Sequence, residues 1–417
     1  MTAPASASRG SLLVVFLTVF VDLLGFGIVM PLLPVYGQAF GISGLGLGML
    51  MASFSLMQFL FAPVWGRLSD RIGRRPVLIV GLLGSTVFYF LFGMASIWGS
   101  VFWLFVTRIG AGIAGATIPT AQAYIADCTT NETRAKGMAL IGAAFGLGFT
   151  FGPLLAWAAL LYSHGTSAAT SPWPGFVASA TSGIALLLAI FLLPESLRAG
   201  STAGHRKLLD LEAWRAALAT PTIVPLLATM FVSVFSFGGF EATLSMFLKD
   251  PRLPFKIDLE HVPLFFAYIG LVLMFVQGGL VRRLATKVSE VKLATAGCAI
   301  SILGFVLLVA ATYQGSFAFL MIATAIEVSG FAFLNPTINS LISRRSDPEK
   351  QGSILGLSQS VSAMARIVGP PIAMPLFDLS PMYPYAIAIA GMVIVMAMLA
   401  TAGRAGHDFA ATDAKAG

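Results

Sequence analysis

Twelve apolar runs of about twenty residues each constrain this chain more than any other feature of its sequence. They lie near 11–36, 43–65, 76–97, 99–125, 136–161, 173–193, 221–248, 261–281, 291–313, 316–341, 352–377 and 381–402. A run of that length crosses the hydrocarbon layer as a helix, because a helix satisfies its own backbone hydrogen bonds where no water can. Only 10% of the 417 residues are charged, against about a quarter in a water-soluble chain. The expected class is therefore an all-α membrane protein with twelve transmembrane helices. The first run is too long for the core of a secretory signal and lacks a small-residue cleavage site, so it is expected to stay as a span.

The longest stretch outside the runs, 194–220, divides them six and six. The expected organisation is an N-terminal bundle over 1–193, a linker over 194–220, a C-terminal bundle over 221–402 and a tail over 403–417. Within the linker, "HRKLLDLEAWRAALA" (205–219) spaces Leu and Trp helically against charged residues. That pattern suits either a helix on the membrane surface or a flexible linker. The links after the even-numbered runs, counted with Lys136 and Lys292 at the very start of the runs that follow, and both tails hold 20 of the 25 Lys and Arg residues. The opposite links hold Lys249, Arg252 and Lys256, and the spans hold Arg108 and Arg366. By the positive-inside rule both termini face the cytoplasm.

The net charge of +7 does not point to nucleic acid, because the basic residues sit in short links and not on one soluble face. Cys128 and Cys298 are too few for a disulfide framework and lack metal-ligand spacing, so neither a metal nor a cofactor is expected. The four histidines, His164, His205, His261 and His407, fall outside or at the edges of the runs, and none stands beside a nucleophile. Catalysis is accordingly not expected.

The halves echo each other. "IPTAQAYIAD" (118–127) resembles "NPTINSLISR" (335–344), and Gly152-Pro153 recurs as Gly369-Pro370, both 217 residues apart. Two similar six-helix bundles in parallel repeat suit a transporter that handles its substrate near the midplane.

Against this apolar background, "GRLSDRIGRRP" (66–76) packs five charges into one short link. Its Gly66, Asp70, Arg71, Gly73, Arg74 and Arg75 resemble the signature link between the second and third helices of the major facilitator superfamily. There the link is taken to stabilise the outward-open state. Asp70 can act as such a latch by accepting from a helix N-terminus or pairing with an arginine. The second half has only a worn copy, "QGGLVRRLATKVSEVK" (277–292), without the acid.

Other motifs place the chain near the drug:proton antiporters of that superfamily, the tetracycline exporters and their relatives. "VDLLGFGIVMPLLP" (21–34) carries Asp22 deep in a span, where an acid is costly and by default functional. Its Leu24, Gly25, Pro31 and Pro34 are similar to the antiporters' helix 1 signature. "RIGAGIAGATIP" (108–119) formally contains a dinucleotide-binding glycine pattern, but within one apolar span those glycines serve helix approach. Arg108 with Gly112 is similar to the family's helix 4 pattern, which implies that Arg108 tunes a nearby carboxylate, Asp22 first. Gly148, Gly152 and Pro153 resemble the exporter signature of helix 5, with Ala156 and Trp157 where two more glycines are usual. These glycines are expected to give close packing at the bundle interface. Where tetracycline exporters carry an acid in helix 3, this chain has Phe88, so a metal-chelated tetracycline is not the expected cargo.

Glu241, Glu327 and Arg366 are the remaining charges within spans. Glu327 and Arg366 lie eleven residues from the outer ends of adjacent helices, which makes an ion pair between them or a second proton carrier equally open. Gln58, Gln122, Phe235, Phe240, Asn335, Asn339 and Gln359 are the expected cavity residues, a lining for small amphiphilic organic molecules.

The expectation is a proton-coupled antiporter that exports such molecules by alternating access, a monomer in a bacterial inner membrane. Its proton-coupling residues would be Asp22, Arg108, Glu241, Glu327 and Arg366. An importer or metabolite exchanger on the same fold is the alternative, with a non-transporting sensor behind it.

Overall fold

A computed structural model describes residues 9–163, 167–197, 223–346 and 351–405, and no strand occurs among them. Twelve segments are long and apolar enough to cross a membrane, so this is a multi-pass membrane protein. The expected surface helix over 205–219, together with His164, His205 and His407, lies outside the described residues. The last helix runs on to Ala405, three residues past its expected end.

Several spans are broken where the sequence removes a backbone donor or a side chain. The first is α1 (Arg9–Val29) followed by α2 (Leu33–Ala39). The turn between them contains Pro31, which cannot donate to the helical ladder. Then come α3 (Gly44–Ile72) and α4 (Arg74–Trp98). The fourth span is α5 (Val101–Ala114), a 3₁₀ turn at Gly115–Thr117, and α6 (Ile118–Asp127) with Pro119 in its first turn. The carbonyls loosened at this break are met from α3: Trp65 donates to Ile113 O at 2.7 Å and Gln58 to Gly115 O at 3.2 Å. Helices α7 (Asn131–Leu160) and α8 (Trp173–Leu192) follow.

The second half begins with α9 (Ile223–Lys249). Its next span is α10 (Val262–Phe275), a π-helical turn over Val276–Val281 that includes Gly278 and Gly279, and α11 (Arg282–Leu284). Helices α12 (Glu290–Gln314), α13 (Phe317–Arg345), α14 (Gln351–Leu379) and α15 (Tyr383–Ala405) complete it.

The charged link expected over 66–75 is almost entirely helical. Helix α3 continues to Ile72 and α4 starts at Arg74, leaving Gly73 alone between them. Gly73 has φ +107, a conformation that L side chains rarely adopt, and it supplies the whole corner.

Among the described residues one compact unit holds 9–42, 53–163, 167–197 and 258–270, and the other holds 43–52, 223–257, 271–346 and 351–405. In the first, α1 packs on α7 and α8, and α4 on α8. Small residues set these distances. A Cβ on Gly27 would lie 2.6 Å from Gly148 O, and one on Gly152 would lie 2.7 Å from the Cα of Gly27. The exporter-type glycines thus join α7 to α1 inside the first unit. In the second unit α9 packs on α14 and α15, and α12 on α13.

The sequence repeat is also a repeat of contacts, with the charges exchanged. At the end of α6, Asp127 pairs with Arg74 at the start of α4, Oδ2 to Nε 3.2 Å. At the end of α13, Arg344 pairs with Glu290 at the start of α12, Nη1 to Oε1 2.6 Å.

Candidate functional site

Asp22 stands midway along α1 and is partly exposed. The Ser182 hydroxyl on α8 donates to its Oδ1 at 3.4 Å, and the Ser85 hydroxyl on α4 also reaches it. No Lys or Arg among the described residues comes within ion-pair distance of it. The carboxyl is therefore held by neutral donors and is not locked to a cation.

Arg108, on α5, is 2% exposed. Its guanidinium carbon lies 4.5 Å from the centroid of the Phe54 ring, and its Nε has no hydrogen-bond partner. Arg108 makes no ion pair with Asp22, the carboxylate it is expected to tune. Tyr89 of α4 is the residue within electrostatic reach of both. It can sit so close to α1 because Gly25 has no side chain: a Cβ there would lie 2.7 Å from Tyr89 Cε2 and 3.2 Å from Ser182 Oγ. Gly112 plays a similar part for Arg108, since a Cβ would meet Phe54 O at 2.5 Å and Met57 Cβ at 2.9 Å. The ring of Phe88 covers Gly110.

The signature link forms a charge network at the α3–α4 corner. Asp70 pairs with Arg74, whose Nη1 also donates to Ser69 Oγ at 2.7 Å. Glu195, just beyond α8, accepts from the backbone N–H groups of Arg74 (2.9 Å), Arg75 (3.2 Å), Ser196 (2.8 Å) and Leu197 (2.9 Å). A carboxylate thus caps the N-terminus of α4, where unpaired N–H groups and the helix dipole favour negative charge. Ser196 Oγ closes the ring on Asp127 at 3.2 Å. Arg75 donates to Ile190 O at 2.6 Å, Arg71 is exposed, and Gly66 has open space beside it. Glu195 and Asp127 belong to this network and went unnoticed in the sequence. The acid of "LPES" (193–196), directly after a span, was the available signal.

In the second unit the expected Glu327–Arg366 ion pair is absent. Glu327 on α13 is 0% exposed, and neither of its carboxyl oxygens has a hydrogen-bond partner. Equal depth fixes height along two helices but not the direction in which each side chain points. Arg366 is exposed on α14 and its electrostatic partner is the partly exposed Glu241 of α9, beyond ion-pair distance.

The expected cavity residues divide. Gln122 and Gln359 are exposed. Asn339 donates to Asn335 Oδ1 at 3.1 Å, a bond within α13, and accepts from Ser358 Oγ of α14 at 3.0 Å, so Asn339 alone of the two is spent on α13–α14 contact. Phe235 is half-buried, stacked on Phe231. Phe240 is corrected to core: it is 1% exposed, edge-on to Phe305 and Tyr385. No cluster of three or more metal-ligating side chains occurs among the described residues.

The family model of the Major Facilitator Superfamily matches residues 15–370. The class C tetracycline resistance protein of Escherichia coli is 34% identical over 390 residues, covering 89% of this chain and 91% of that protein. Multidrug resistance protein 2 of Bacillus subtilis is 27% identical, covering 91% of each. The crystal structure of the human organic anion transporter MFSD10 (TETRAN) superposes with a TM-score of 0.69 at 25% identity, covering 94% of this chain and 99% of that one.

Proposed function

The chain belongs to the Major Facilitator Superfamily, and on that footing we propose that it is a proton-coupled antiporter exporting small amphiphilic organic molecules. It is a membrane transporter and not an enzyme. Export is supported by the names of its relatives, which include tetracycline and multidrug resistance proteins. Coupling rests on one observation: Asp22 is a partly exposed carboxyl within a span, hydrogen-bonded by Ser182 and without an ion-pair partner. A carboxyl so placed can gain and lose a proton without breaking a salt bridge.

Protons from outside load Asp22, and cargo binds the deprotonated form from the cytoplasm. Exchange follows because each ligand biases the same two-state equilibrium towards its own state. Arg108 acts on Asp22 by way of Tyr89, which lies in electrostatic reach of both. Glu241, Glu327 and Arg366 form a second charged group in the C-terminal half. The Asp70–Arg74 network opens and closes as access alternates, and the protein works as a monomer in a bacterial inner membrane with both termini cytoplasmic. Phe88 replaces the acid of tetracycline exporters, so the cargo is an organic amphiphile and not a metal-chelated tetracycline.

The test is ethidium flux in proteoliposomes under an imposed pH gradient, for the native chain and Asp22→Asn. Flux opposite to the proton gradient, lost in Asp22→Asn, is the expected result. Undiminished flux in that variant, or flux running with the protons, would overturn the reading.

A further inference from the structure

Helix α14 (Gln351–Leu379) has two exposed faces of opposite character. Met364 and Ile372, each 41% exposed, lie on one. Gln359 and Arg366 are exposed on the other. At about 100° per residue, Gln359 and Arg366 are roughly 20° apart around the axis, whereas Met364 is about 160° from Arg366. In a bilayer the apolar face meets lipid. A guanidinium halfway along a span must then face water or protein, because hydrocarbon does not accept it.

The surroundings of Arg366 are open and poorly compensated. It makes no hydrogen bond and no ion pair with the described residues, unlike Arg108, which is buried against Phe54. The ionisable groups around it come from three helices. Glu241 of α9 is in electrostatic reach, Glu327 of α13 lies behind Glu241, and Tyr385 of α15 lies beside Glu327. Of these, Glu327 and Tyr385 are fully buried, which leaves Glu241 as the counter-charge on the exposed side. There is room at that level: a Cβ on Gly238, one turn before Glu241, would meet nothing within 4 Å.

Five N–H donors in a fixed fork match the two oxygens of a carboxylate or sulfonate. A neutral or cationic cargo leaves them unmet. We propose that Arg366 anchors an anionic group of the cargo, which takes the place at the guanidinium that no carboxylate among the described residues fills. Arg366 sits in the middle of its helix, away from the depth at which lipid headgroups lie. This inference rests on the exporter reading for the existence of a cargo, but it concerns a different half of the chain from Asp22.

The experiment uses the full chain in detergent with pyrenebutyrate and its methyl ester, which differ only in the anionic group. Fluorescence titration gives affinities. The acid is expected to bind more tightly than the ester. Arg366→Gln should cost the acid about 10- to 100-fold and bring the acid-to-ester ratio close to one. Arg366→Lys, which keeps the charge but not the fork, should fall between. Glu241→Gln, which removes the nearest anion that could compete for the guanidinium, should leave the preference for the acid in place. If Arg366→Gln does not accumulate as folded protein, Arg366→Lys decides, and an acid-to-ester ratio unchanged from the native chain would then overturn the inference. Equal responses of acid and ester to Arg366→Gln, no saturable binding of the acid, or loss of the preference for the acid in Glu241→Gln would also overturn it. Loss of ethidium flux in Asp22→Asn alongside any of these would leave the exporter reading standing while this one falls.

Discussion

Gly73→Ala tests the α3–α4 corner most directly, because two separate costs meet at one missing methyl group. At φ +107 any side chain is strained, at about 1–3 kcal/mol. The new Cβ would also lie 2.9 Å from the Cδ of Glu195 and overlap its carboxylate, pushing the cap off Arg74 and Arg75. Losing a helix cap costs about 0.5–2 kcal/mol. The expected destabilisation is therefore about 2–4 kcal/mol. Glu195→Ala alone removes only the cap and should cost about 1 kcal/mol. The two should not add, since the alanine at 73 has already displaced the carboxylate. In that background Glu195→Ala should cost less than about 0.5 kcal/mol. Gly66→Ala is the control: its Cβ meets nothing within 4 Å inside α3, so it should be neutral or stabilising by up to about 1 kcal/mol. Reversible unfolding in mixed micelles, followed by tryptophan fluorescence, measures all four variants. Additivity of the two costs within about 0.5 kcal/mol would refute the coupling of Gly73 to Glu195.

Three further outcomes are expected. Gly304→Ala places a Cβ 2.6 Å from the Cβ of Glu327 and should destabilise the α12–α13 contact by about 1–3 kcal/mol, read by the same unfolding assay. Arg252→Ala strips the buried Asp250 of its guanidinium bonds at 2.6–3.1 Å, leaving the one from the residue 252 backbone N–H, and uncaps the carbonyls of Phe377 and Asp378. It should cost about 1–3 kcal/mol, partly recovered by adding Asp250→Asn, and equal stability of the single and double variants would count against this account. Tyr89→Phe keeps the ring on Gly25 but loses the hydroxyl, so the pH profile of proteoliposome flux should shift while stability changes by less than about 1 kcal/mol. An unmoved profile would remove Tyr89 from between Asp22 and Arg108.

The spans were legible because membrane length and apolarity are written locally, residue after residue. Helix ends were less so. The charges of 67–71 suggested a loop, yet Arg and its neighbours are good helix formers, and the helix simply runs on to Gly73. Asp22 and the signature acids could be picked out because a charge in an apolar chain is conspicuous. Their partners could not. Ser182 lies 160 positions from Asp22, and Glu195 lies 121 from Arg74. An acid at a span's edge stands out as a residue, but neither it nor a serine names a neighbour so far along the chain. The supposed Glu327–Arg366 pair failed for a related reason: counting along a helix gives depth, and pairing also needs azimuth. Phe240 was misread because an aromatic ring looks the same in sequence whether it lines a cavity or fills a core.

The exchanged polarity of the two repeat-related ion pairs has a consequence for how the halves diverged. If both descend from one ancestral bundle, at least one clasp reversed both of its members, and each single replacement on the way left two like charges, or a charge and a neutral side chain, in apposition. What survived was the touching of two helix ends, whichever member held which sign. A chimaera carrying the 335–344 segment in place of 118–127 would set Arg against Arg74 and come apart there, although its apolar residues align. Arg74 also neutralises Asp70, so Arg74→Glu should mend the chimaera only together with Asp70→Asn.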